Sequence, residues 1–517
     1  MAKINDMASK PIVWSIAGSD SGGGAGLQAD LLTIHDLGCH GCSVITAITA
    51  QNSVAVTAVE AVSPAMLAAQ LEALKADLYP SAVKIGLIAN QAQLDFLAHW
   101  LGDNLPGVPV ILDTVMVASC GDNLQASPVP VALDFRPLAR TATLITPNFT
   151  ELSRLSAMLG ARAVTDEASW VVASQTLAHE FGVSVLAKGG DVAWQRDTAR
   201  DLLLLGDIAN ISPLYRQQGF LLDTQRVNTR HNHGSGCTLA SAIACFLARG
   251  MVLPDAVLLA KAYVFEGLNS GYGVGHGPGP LARTGVPTRF RSLPGIKALE
   301  SPVPFDGHFA SLPKKLGVYP VVADIPMLHT LLEAGATTIQ LRIKTDLPGA
   351  EDEANIIRAI ELGKRYGARV FINDHWQLAI KHDAFGVHLG QEDVNTAALE
   401  CIASAGMALG LSSHGLFEAL MALRLGPSYL ALGHIFPTTT KTMPSPPQGL
   451  EVLALLNQLL GELCPTVAIG GIDETNLTQV AATGVANIAV VRAVTEKPNP
   501  AAALKMLVER WEARDVV

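Results

Sequence analysis

The sequence predicts an α/β protein in two parts, an α/β domain with a largely parallel sheet followed by a (β/α)8 barrel. Hydrophobic residues make up 49% of its 517 residues, charged residues 16% and aromatic residues only 5%. Cores built from aliphatic side chains are typical of buried parallel strands covered by helices. Short apolar strands alternate with helical segments along the chain, and a segment rich in glycine and proline divides it. Both patterns favour two α/β domains.

The first part contains five short apolar stretches bounded by turn residues, which we predict to be strands. They are Ile12–Ala17, Val83–Leu87, Val110–Asp113, Leu144–Thr146 and Val183–Lys188. Helical patterns such as Met66–Leu78 lie between them. We therefore expect a central, mostly parallel sheet flanked by helices.

A domain boundary is predicted where glycine and proline accumulate. Eight glycines and seven prolines fall within the 45 residues from Gly271 to Lys315. This composition is typical of a loop followed by a linker. The sequence therefore predicts domains at 10–285 and 313–517, joined by a linker at 286–312.

The second part repeats a strand and a helical or loop segment eight times, which predicts a (β/α)8 barrel. Its strand candidates are Tyr319–Ala323, Thr338–Ile343, Arg369–Asn373, Gly386–Leu389, Ala408–Ser412, Tyr429–Gly433, Thr466–Gly470 and Ile488–Arg492. Polar residues follow several of these strands, for example Asn373-Asp374 and Ser412-Ser413-His414. Strand ends converge on one face of such a barrel, so we expect a site there. Ordinary solvated loops are the alternative.

Charge and cysteine content exclude several classes of protein. The formal net charge is −10, from 36 basic and 46 acidic residues without a basic block, so nothing favours a nucleic-acid partner. The longest uncharged stretch, Gly41–Val59, is too polar to span a bilayer, and no targeting segment is recognised. Seven cysteines with one pair at Cys39 and Cys42 indicate reduced thiols. We expect a cytoplasmic protein that acts on small molecules, with homo-oligomerisation left open.

Two glycine-rich segments of the first part are candidates for phosphate binding. Ala17–Gly26 follows a predicted strand and leads into a helix, and Gly234–Thr238 precedes the alanine-rich run Leu239–Arg249. Backbone N–H groups at such helix starts attract anions. Cys237 would lie at the positive helix end, which is expected to lower its thiol pKa and let it accept a substrate proton. A small residue packed at a helix start is an equally good local interpretation of Cys237.

Eight motifs in order give the first part a family resemblance. They are Ala17-Gly18-Ser19-Asp20, Gln28-Ala29-Asp30, Val44-Ile45-Thr46-Ala47 with Gln51-Asn52, Lys84-Ile85-Gly86, Leu112-Asp113-Thr114-Val115-Met116, Thr146-Pro147-Asn148 with Glu151, Lys188-Gly189-Gly190 and Gly234-Ser235-Gly236-Cys237-Thr238. Over about residues 10–280 the chain resembles the hydroxymethylpyrimidine/phosphomethylpyrimidine kinases of thiamin biosynthesis, which are ribokinase-like α/β proteins.

The resemblance to these kinases implies roles for individual residues. It implies a pyrimidine pocket lined by Gly18, Asp30 and Gln51, and catalytic roles for Cys237, Lys188 and Asp113. It also implies that ATP, the phosphoryl donor, and its Mg²⁺ contact Asn148, Glu151, Lys188, Gly234 and Gly236. Leu87 departs from the methionine expected at its position but remains apolar, so packing against the ring should persist.

The second part carries a cluster of charged and amide side chains that suits an anionic ligand. Gln340, Arg342 and Lys344 alternate along a predicted strand and would share one side of it. Asp374 and Asp393 follow adjacent strands and offer oxygen ligands for Mg²⁺. A solvated edge strand is the alternative for the first set, and a helix N-cap is the alternative for Asp374.

These residues and later motifs are similar in order and spacing to thiamin phosphate synthase over about residues 315–512. The motifs are Gly390-Gln391-Glu392-Asp393, Gly410-Leu411-Ser412-Ser413-His414, Gly433 to Lys441, Pro447-Gln448-Gly449 and Ala468 to Ile472. The resemblance assigns the pyrimidine pyrophosphate to Gln340, Arg342, Lys344, Asn373, Ser412 and Lys441, and Mg²⁺ to Asp374 and Asp393. It assigns the thiazole phosphate to Thr438, Thr439, Thr440, Gly471, Val491 and Arg492.

The two resemblances together imply one chain that runs consecutive steps of thiamin biosynthesis. The family reaction of the second part joins the pyrimidine methylene to the thiazole nitrogen and expels pyrophosphate through a pyrimidine cation. Arg492 stands where a serine is expected, which affects the site only if a hydroxyl is needed there. The alternative function is a pyrimidine or pyridoxal salvage kinase fused to a thiazole isomerase-like or non-catalytic vitamin-sensing barrel.

Overall fold

The computed structural model describes residues 10–116, 133–192, 194–206, 219–300, 305–345, 347–438 and 445–513. The chain divides into two compact units, Met1–Ser301 and Pro302–Val517. The division falls inside the predicted linker, 286–312. Each unit is described by itself below.

The first unit is built on one ten-stranded sheet. Its strands are β1 (Ile12–Asp20), β2 (His40–Gln51), β3 (Val56–Ala61), β4 (Ala82–Ile85), β5 (Val110–Leu112), β6 (Leu144–Ile145), β7 (Ser184–Ala187), β8 (Thr198–Leu204), β9 (Gly219–Gln225) and β10 (Gly295–Ala298). Their order across the sheet is β10-β9-β8-β7-β6-β5-β4-β1-β2-β3. The six strands from β7 to β2 in this order are parallel, whereas β3, β8, β9 and β10 extend the sheet with antiparallel pairs.

Eight helices are described in the first unit, and those after β1 and β9 matter most for the site. They are α1 (Gly26–Asp36), α2 (Pro64–Asp77), α3 (Gln91–Asn104), α4 (Arg136–Ala139), α5 (Phe149–Met158), α6 (Glu167–Phe181), α7 (Ser235–Ala248) and α8 (Leu253–Asn269). Helix α7 packs on α1, α8 and the strands β1, β4 and β5. It therefore covers one face of the parallel strands.

Side chains of β1 show how the sheet separates the apolar core from polar groups. Trp14 and Ile16 belong to the large apolar core of this unit. Ser15 lies between them and donates a hydrogen bond to Asp30 of α1. Successive side chains of a strand point to opposite faces, so Ser15 lies on the face that α1 and α7 cover.

The mostly parallel sheet that the sequence predicts is confirmed, but its antiparallel extensions are not predicted. Each of the five predicted strands corresponds to an observed strand; three of the starts coincide, and the other ends are shifted by one to three residues. Strands β2 and β3 escape prediction because polar and exposed residues alternate with buried ones along them. Strand β10 lies within the predicted linker and pairs with β9, so this part of the linker is an edge of the first sheet.

The second unit is a closed barrel of eight parallel strands, as the sequence predicts. The strands are β11 (Val318–Val322), β12 (Thr338–Leu341), β13 (Arg369–Asn373), β14 (Gly386–Leu389), β15 (Ala408–Ser413), β16 (Tyr429–Gly433), β17 (Thr466–Ile469) and β18 (Asn487–Val490). Each pairs with the next in the chain, and β11 pairs with β18. The barrel interior is filled by a cluster that includes Tyr319, Phe371, Tyr429 and Val467.

Ten helices are described in this unit. They are α9 (Ile325–Glu333), α10 (Ala350–Tyr366), α11 (Trp376–Lys381), α12 (Gln391–Val394), α13 (Leu399–Ser404), α14 (Leu416–Leu423), α15 (Gly449–Leu460), α16 (Leu477–Ala481), α17 (Arg492–Thr495) and α18 (Pro500–Ala513). The long helix α10 begins with acidic residues and ends with basic ones before Gly367, a charge distribution that favours the helix dipole. Every loop that leads from a strand to its helix lies at the same end of the barrel, because all the strands are parallel.

Candidate active sites

An ion pair at the carboxyl ends of β5 and β7 lies at the centre of the first site. Lys188 Nζ lies 2.9 Å from Asp113 Oδ1, and both side chains are largely buried. Thr146 donates to the same carboxylate oxygen at 3.1 Å. Burial lowers the pKa of Lys188, but the carboxylates of Asp113 and Glu151 outweigh it and raise that pKa above its ordinary value. A charged ammonium is therefore held in a buried position where an anion could bind.

The start of α7 lies against this ion pair. A Cβ atom on Gly236 would lie only 3.1 Å from Lys188 Nζ, so the first turn of α7 approaches the ammonium closely. Gly234 precedes the helix with φ +75°, and a Cβ there would meet the carbonyl oxygen of Gly24 at 2.1 Å. Glycine is required at Gly234 on both counts, because a side chain would separate the two glycine-rich segments.

The first glycine-rich segment is shaped by Asp20, a residue to which the sequence analysis assigns no role. Its carboxylate accepts hydrogen bonds from the N–H groups of Gly22, Gly24 and Ala25. His233 Nε2 lies 3.4 Å from the same carboxylate. Burial raises the pKa of Asp20, but these hydrogen bonds outweigh it, so the pKa is below its ordinary value. An ionised Asp20 thus connects the first glycine-rich segment to His233, the residue before the second one.

Asn148 and Glu151 begin α5 in a reciprocal cap. The Asn148 side chain accepts from Glu151 N at 2.9 Å, and Glu151 Oε2 accepts from Asn148 N at 2.8 Å. Burial raises the pKa of Glu151 to about 7, with Asp113 adding to the rise and Lys188 opposing it. The pair therefore has a structural role at the helix start, and Glu151 is also electrostatically coupled to the ion pair.

Cys237 lies in the first turn of α7, as expected, but the expected lowering of its pKa is wrong. Burial raises the pKa of the Cys237 thiol to about 11, although the Lys84 ammonium and a hydrogen bond from Gly26 act in the opposite direction. Loss of hydration therefore outweighs the positive end of the helix at this position. The thiol is protonated at neutral pH.

Asp30, which the resemblance assigns to the pyrimidine pocket, is buried beneath α7. Its carboxylate accepts from Lys84 Nζ at 2.7 Å, Ser15 Oγ at 2.6 Å and Ser241 Oγ at 2.8 Å. Asp30 and Lys84 are both fully buried. The carboxylate is thus occupied by protein groups, and Lys84 is the second buried cation of this site.

Gly18, Gln51 and Leu87 lie around a small apolar cluster at the ends of β1 and β2. A Cβ on Gly18 would meet Leu87 Cδ2 at 2.7 Å, so Leu87 packs directly on the glycine. Leu87 clusters with Ala47 and Ala89. Gln51 is half-buried at the end of β2 and accepts from Thr49 through Oε1 at 3.3 Å.

A buried ion pair behind Lys188 holds the loop that follows it. Asp201 accepts from Gly189 N at 2.9 Å and from Lys261 Nζ at 2.6 Å. Both side chains of this pair are buried. Asp201 and Lys261 could not be recognised from the sequence, because no motif contains them and they are 60 residues apart.

In the second unit, Gln340, Arg342 and Lys344 do not share one strand face as predicted. Strand β12 ends at Leu341, and the N–H of the next residue, Arg342, donates to the carbonyl of Val322, the last residue of β11, at 2.8 Å. Gln340 is buried, whereas Arg342 is half-buried and Lys344 is exposed. Within the described ranges, neither cation forms an ion pair. Both charges thus remain available at the end of the barrel where β12 stops.

The predicted metal ligands follow two neighbouring strands. Asn373 and Asp374 come at the end of β13, and Asp393 lies in the short helix after β14, which pairs with β13. Asp374 has φ +62°, an unusual backbone conformation for a residue other than glycine. Asn373 donates from its amide to the Asp374 carboxylate. The described residues contain no group of three or more His, Cys, Asp or Glu side chains placed to hold a metal ion.

The residues predicted for the thiazole phosphate lie on loops after β16, β17 and β18. Thr438 is half-buried, and Thr439, Thr440 and Lys441 lie outside the described residues. Gly471 has φ +66°, and a Cβ there would meet Phe436 at 2.7 Å, so the two loops are in close contact. Val491 precedes α17, and the Arg492 side chain is exposed.

Ser412 contacts a buried polar network that the sequence analysis missed. His388 Nε2 lies 2.9 Å from Ser412 Oγ, and His388 Nδ1 lies 2.7 Å from the Tyr429 hydroxyl. The Tyr319 hydroxyl lies 2.9 Å from that of Tyr429 and accepts from Gln340 Nε2 at 3.2 Å. In the sequence, these residues are visible only as a histidine and two tyrosines within otherwise apolar predicted strands.

No helix of the described part of the chain is both long and apolar enough to cross a membrane.

Comparisons with known proteins match each unit to a different family. The model of the phosphomethylpyrimidine kinase family matches residues 20–282, just over half of the chain. The model of the thiamine monophosphate synthase family matches residues 321–494. The first match lies within the first unit, and the second lies within the other.

Curated relatives agree with the match of the second unit. The thiamine-phosphate synthase of Salmonella enteritidis PT4 is 54% identical over 205 residues, which are 40% of this chain and 96% of that protein. The thiamine-phosphate synthase of Klebsiella pneumoniae subsp. pneumoniae is 54% identical over 211 residues, 41% of this chain and 99% of that protein. A solved phosphomethylpyrimidine kinase from Clostridium difficile 630 is 31% identical, with a TM-score of 0.38, and the match covers 49% of this chain and 98% of that one. The chain therefore belongs to the phosphomethylpyrimidine kinase family through its first unit and to the thiamine monophosphate synthase family through its second.

Proposed function

We propose that the chain is a bifunctional enzyme of thiamin biosynthesis. Its first unit uses ATP to phosphorylate hydroxymethylpyrimidine and then the resulting phosphate, giving the pyrimidine pyrophosphate. Its second unit joins that product to hydroxyethylthiazole phosphate and gives thiamin phosphate and pyrophosphate. The observation that carries this proposal is that one chain matches both families, each over one unit. The alternative of a salvage kinase fused to an isomerase-like or sensing barrel is not favoured by these matches.

Phosphoryl transfer is assigned to the region where the Lys188–Asp113 pair meets the start of α7. The substrate hydroxyl oxygen attacks the terminal phosphorus of ATP, and the bond to the departing ADP breaks. Charge in this transition state is spread over the phosphoryl oxygens, so positioned cations and N–H groups supply most of the catalysis. Lys188 and the N–H groups after Gly234 provide both, and Asp113 holds the ammonium in place. Asn148 and Glu151 are assigned to the nucleotide side of the same region.

Cys237 is assigned to the attacking hydroxyl. Its pKa of about 11 means that little thiolate exists at neutral pH. Because a loose transition state leaves the hydroxyl proton in place until late in the transfer, orientation contributes more than base strength. Cys237 therefore orients the hydroxyl, whose proton passes late in the transfer to an oxygen of the transferred phosphoryl group, while Gly18 and Gln51 hold the pyrimidine ring.

Mg²⁺ is assigned to Asp374 and Asp393 in the second unit. Mg²⁺ prefers oxygen ligands and keeps several waters, so two carboxylates and a substrate pyrophosphate suit it. The left-handed backbone of Asp374 supports the assignment, because such a conformation costs about 1–3 kcal/mol and persists where a site requires it. When bound, the ion would neutralise charge on the pyrophosphate.

Coupling is assigned to the mouth of the barrel. The bond between the pyrimidine methylene and pyrophosphate breaks, and the lone pair of the thiazole nitrogen forms the new carbon–nitrogen bond. Arg342, Lys344 and Lys441 are proposed to bind the departing pyrophosphate with Asn373, whereas Gln340 and Ser412 hold the ring. The thiazole phosphate is assigned to the loops of Thr438 to Thr440, Gly471, and Val491 with Arg492. This chemistry is electrostatic and needs no side chain as nucleophile.

An assay of the purified chain with each intermediate supplied separately tests the function. With hydroxymethylpyrimidine, ATP, Mg²⁺ and thiazole phosphate, we expect thiamin phosphate; with pyrimidine pyrophosphate and thiazole phosphate, we expect it without ATP. Failure of the second reaction would refute the synthase assignment, and failure of phosphorylation would refute the kinase assignment.

Single substitutions separate the two activities. Cys237→Ala is expected to lower kinase kcat about 100-fold and to leave coupling from pyrimidine pyrophosphate unchanged, with Cys401→Ala, an exposed cysteine, as control. Asp374→Ala is expected to abolish coupling and to spare phosphorylation, with Glu361→Ala on α10 as an exposed acidic control. Unchanged phosphorylation in Cys237→Ala would remove its assigned role.

A further inference from the structure

Five side chains from five strands form one hydrogen-bonded chain across the interior of the barrel. In order along it they are Gln340, Tyr319, Tyr429, His388 and Ser412, from β12, β11, β16, β14 and β15. The four links measure 3.2, 2.9, 2.7 and 2.9 Å. All but Ser412 are buried. The two ends of the chain are residues already assigned to the pyrimidine substrate.

The direction of the hydrogen bonds follows from the donor at one end. The Gln340 amide nitrogen can only donate, so the Tyr319 hydroxyl accepts from it and must place its own proton elsewhere. The hydroxyl of Tyr429 is the acceptor within reach. The opposite direction would leave the Tyr319 proton without an acceptor among the described residues, which is costly for a buried group.

The same logic determines the protonation of His388. Because Tyr429 accepts from Tyr319, its proton goes to His388 Nδ1 at 2.7 Å. The neutral ring then carries its proton on Nε2 and donates it to Ser412 Oγ at 2.9 Å. Ser412 is left with its own hydroxyl proton to donate to a ligand, and Gln340 is left with its carbonyl oxygen as an acceptor.

We propose that Tyr319, Tyr429 and His388 are positioning residues that fix Ser412 as a hydrogen-bond donor and the Gln340 oxygen as an acceptor toward the substrate ring. An aminopyrimidine suits this arrangement, because its ring nitrogens accept and its exocyclic amine donates. The inference rests on the proposed synthase function for the identity of the ligand, whereas the hydrogen-bond directions rest on the protein alone.

The packing around Tyr429 supports a fixed network. Its ring stacks on His388 at 5.6 Å between centroids and meets Tyr319 edge-on at 5.8 Å. A Cβ on Gly410 of β15 would lie 2.2 Å from Cζ of the same ring, so glycine is needed where Tyr429 crosses the barrel. The ring is thus held on several sides, and its hydroxyl has little freedom to leave the chain.

A spectroscopic test addresses the network without any ligand. In the full-length protein with ¹⁵N-labelled histidine, we expect His388 to show a bare Nδ1 and a protonated Nε2, with the signal identified by its loss in His388→Gln. Tyr429→Phe should convert this single tautomer to a mixture. A proton on Nδ1 of His388 in the wild-type protein would overturn the proposal.

A kinetic test uses a double-mutant cycle in the synthase reaction. Tyr429→Phe and Ser412→Ala are each expected to raise KM for the pyrimidine pyrophosphate about tenfold, with KM for the thiazole phosphate within twofold of wild type. Because both act through His388, the double variant should lose clearly less than the product of the single effects. A loss equal to that product would overturn the proposal.

Controls separate a positioning role from misfolding and from failure of the proposed function. Tyr366→Phe removes a phenol hydroxyl that contacts His329 on the outer helices, and it should retain wild-type KM. If Tyr429→Phe does not fold, Tyr319→Phe combined with Gln340→Leu gives the same cycle at the other end of the chain. If the wild-type chain makes no thiamin phosphate, the proposed function fails. The His388 tautomer still tests the proposed hydrogen-bond directions, because that measurement needs no ligand.

Discussion

Replacing Lys84 with methionine removes the ammonium that neutralises Asp30 in the interior of the first unit. Lys84 Nζ lies 2.7 Å from Asp30 Oδ2, and neither side chain is accessible to solvent. Asp30 would keep hydrogen bonds from Ser15 and Ser241. The variant therefore leaves a carboxylate that is hydrogen-bonded but has lost its countercharge.

The expected destabilisation follows from this geometry. Removing one partner of a buried ion pair costs about 3–5 kcal/mol, because the other charge stays buried without compensation. The two hydroxyl donors offset part of that cost, so we expect about 3 kcal/mol. In the double variant Asp30→Asn/Lys84→Met the carboxylate charge is also gone, and we expect recovery of at least about 1 kcal/mol.

Thermal inactivation of the kinase activity measures the effect, and coupling activity in the same sample serves as internal reference. For a domain of this size about 3 kcal/mol corresponds to a fall of about 6 °C in the inactivation midpoint. Lys297→Met on the edge strand β10 is the matched control, since its side chain is exposed. The reasoning is refuted if Lys84→Met shifts the midpoint no more than this control, or if the double variant is no more stable than the single one.

Three further changes test other parts of the two units. Burial raises the pKa of Glu151 from 4.5 to about 7, so the stability that its protonated form contributes is full below pH 4.5 and is lost as the pH rises through 7. The inactivation midpoint of the kinase should therefore fall between pH 5 and 8, and it should fall less in Glu151→Gln. Gly410→Ala should destabilise the barrel by about 1–3 kcal/mol by displacing Tyr429, so coupling is lost and phosphorylation retained. Asp201→Asn weakens the hold on the Gly189 N–H and leaves the buried Lys261 ammonium without its countercharge, so it should raise kinase KM for ATP about tenfold and lower the kinase inactivation midpoint, with coupling unchanged.

The barrel could be predicted in detail because its strands are short, apolar and separated by regular helical segments. All eight strands occur where the pattern places them, and the ends differ by at most two residues. For the sheet of the first unit, only strands from its central parallel part were predicted. Strands β8, β9 and β10 are joined by antiparallel pairs, and no motif or periodicity marked β10 within a segment rich in glycine and proline.

The residues assigned to ligands left a sequence signal, because they occur in short motifs after strand ends. Lys188, Asp113 and the start of α7 come together in the structure, although β5, β7 and α7 are far apart in the chain. The protonation state of such residues could not be predicted from these motifs. The pKa of Cys237 depends on its burial and on Lys84, and neither can be read from the local sequence.

Buried polar residues that hydrogen-bond to the residues assigned to ligands could hardly be recognised from the sequence. A buried polar side chain must find its partner across the core, and that partner can lie anywhere in the chain. Ser241 bonds Asp30 across 211 positions, and Tyr319 meets Tyr429 across 110. A pattern of apolar residues identifies which positions are buried but not which of the polar ones face each other. The members of such buried networks are therefore found only when the fold is known, and substitutions there test whether they orient the residues assigned to the ligands.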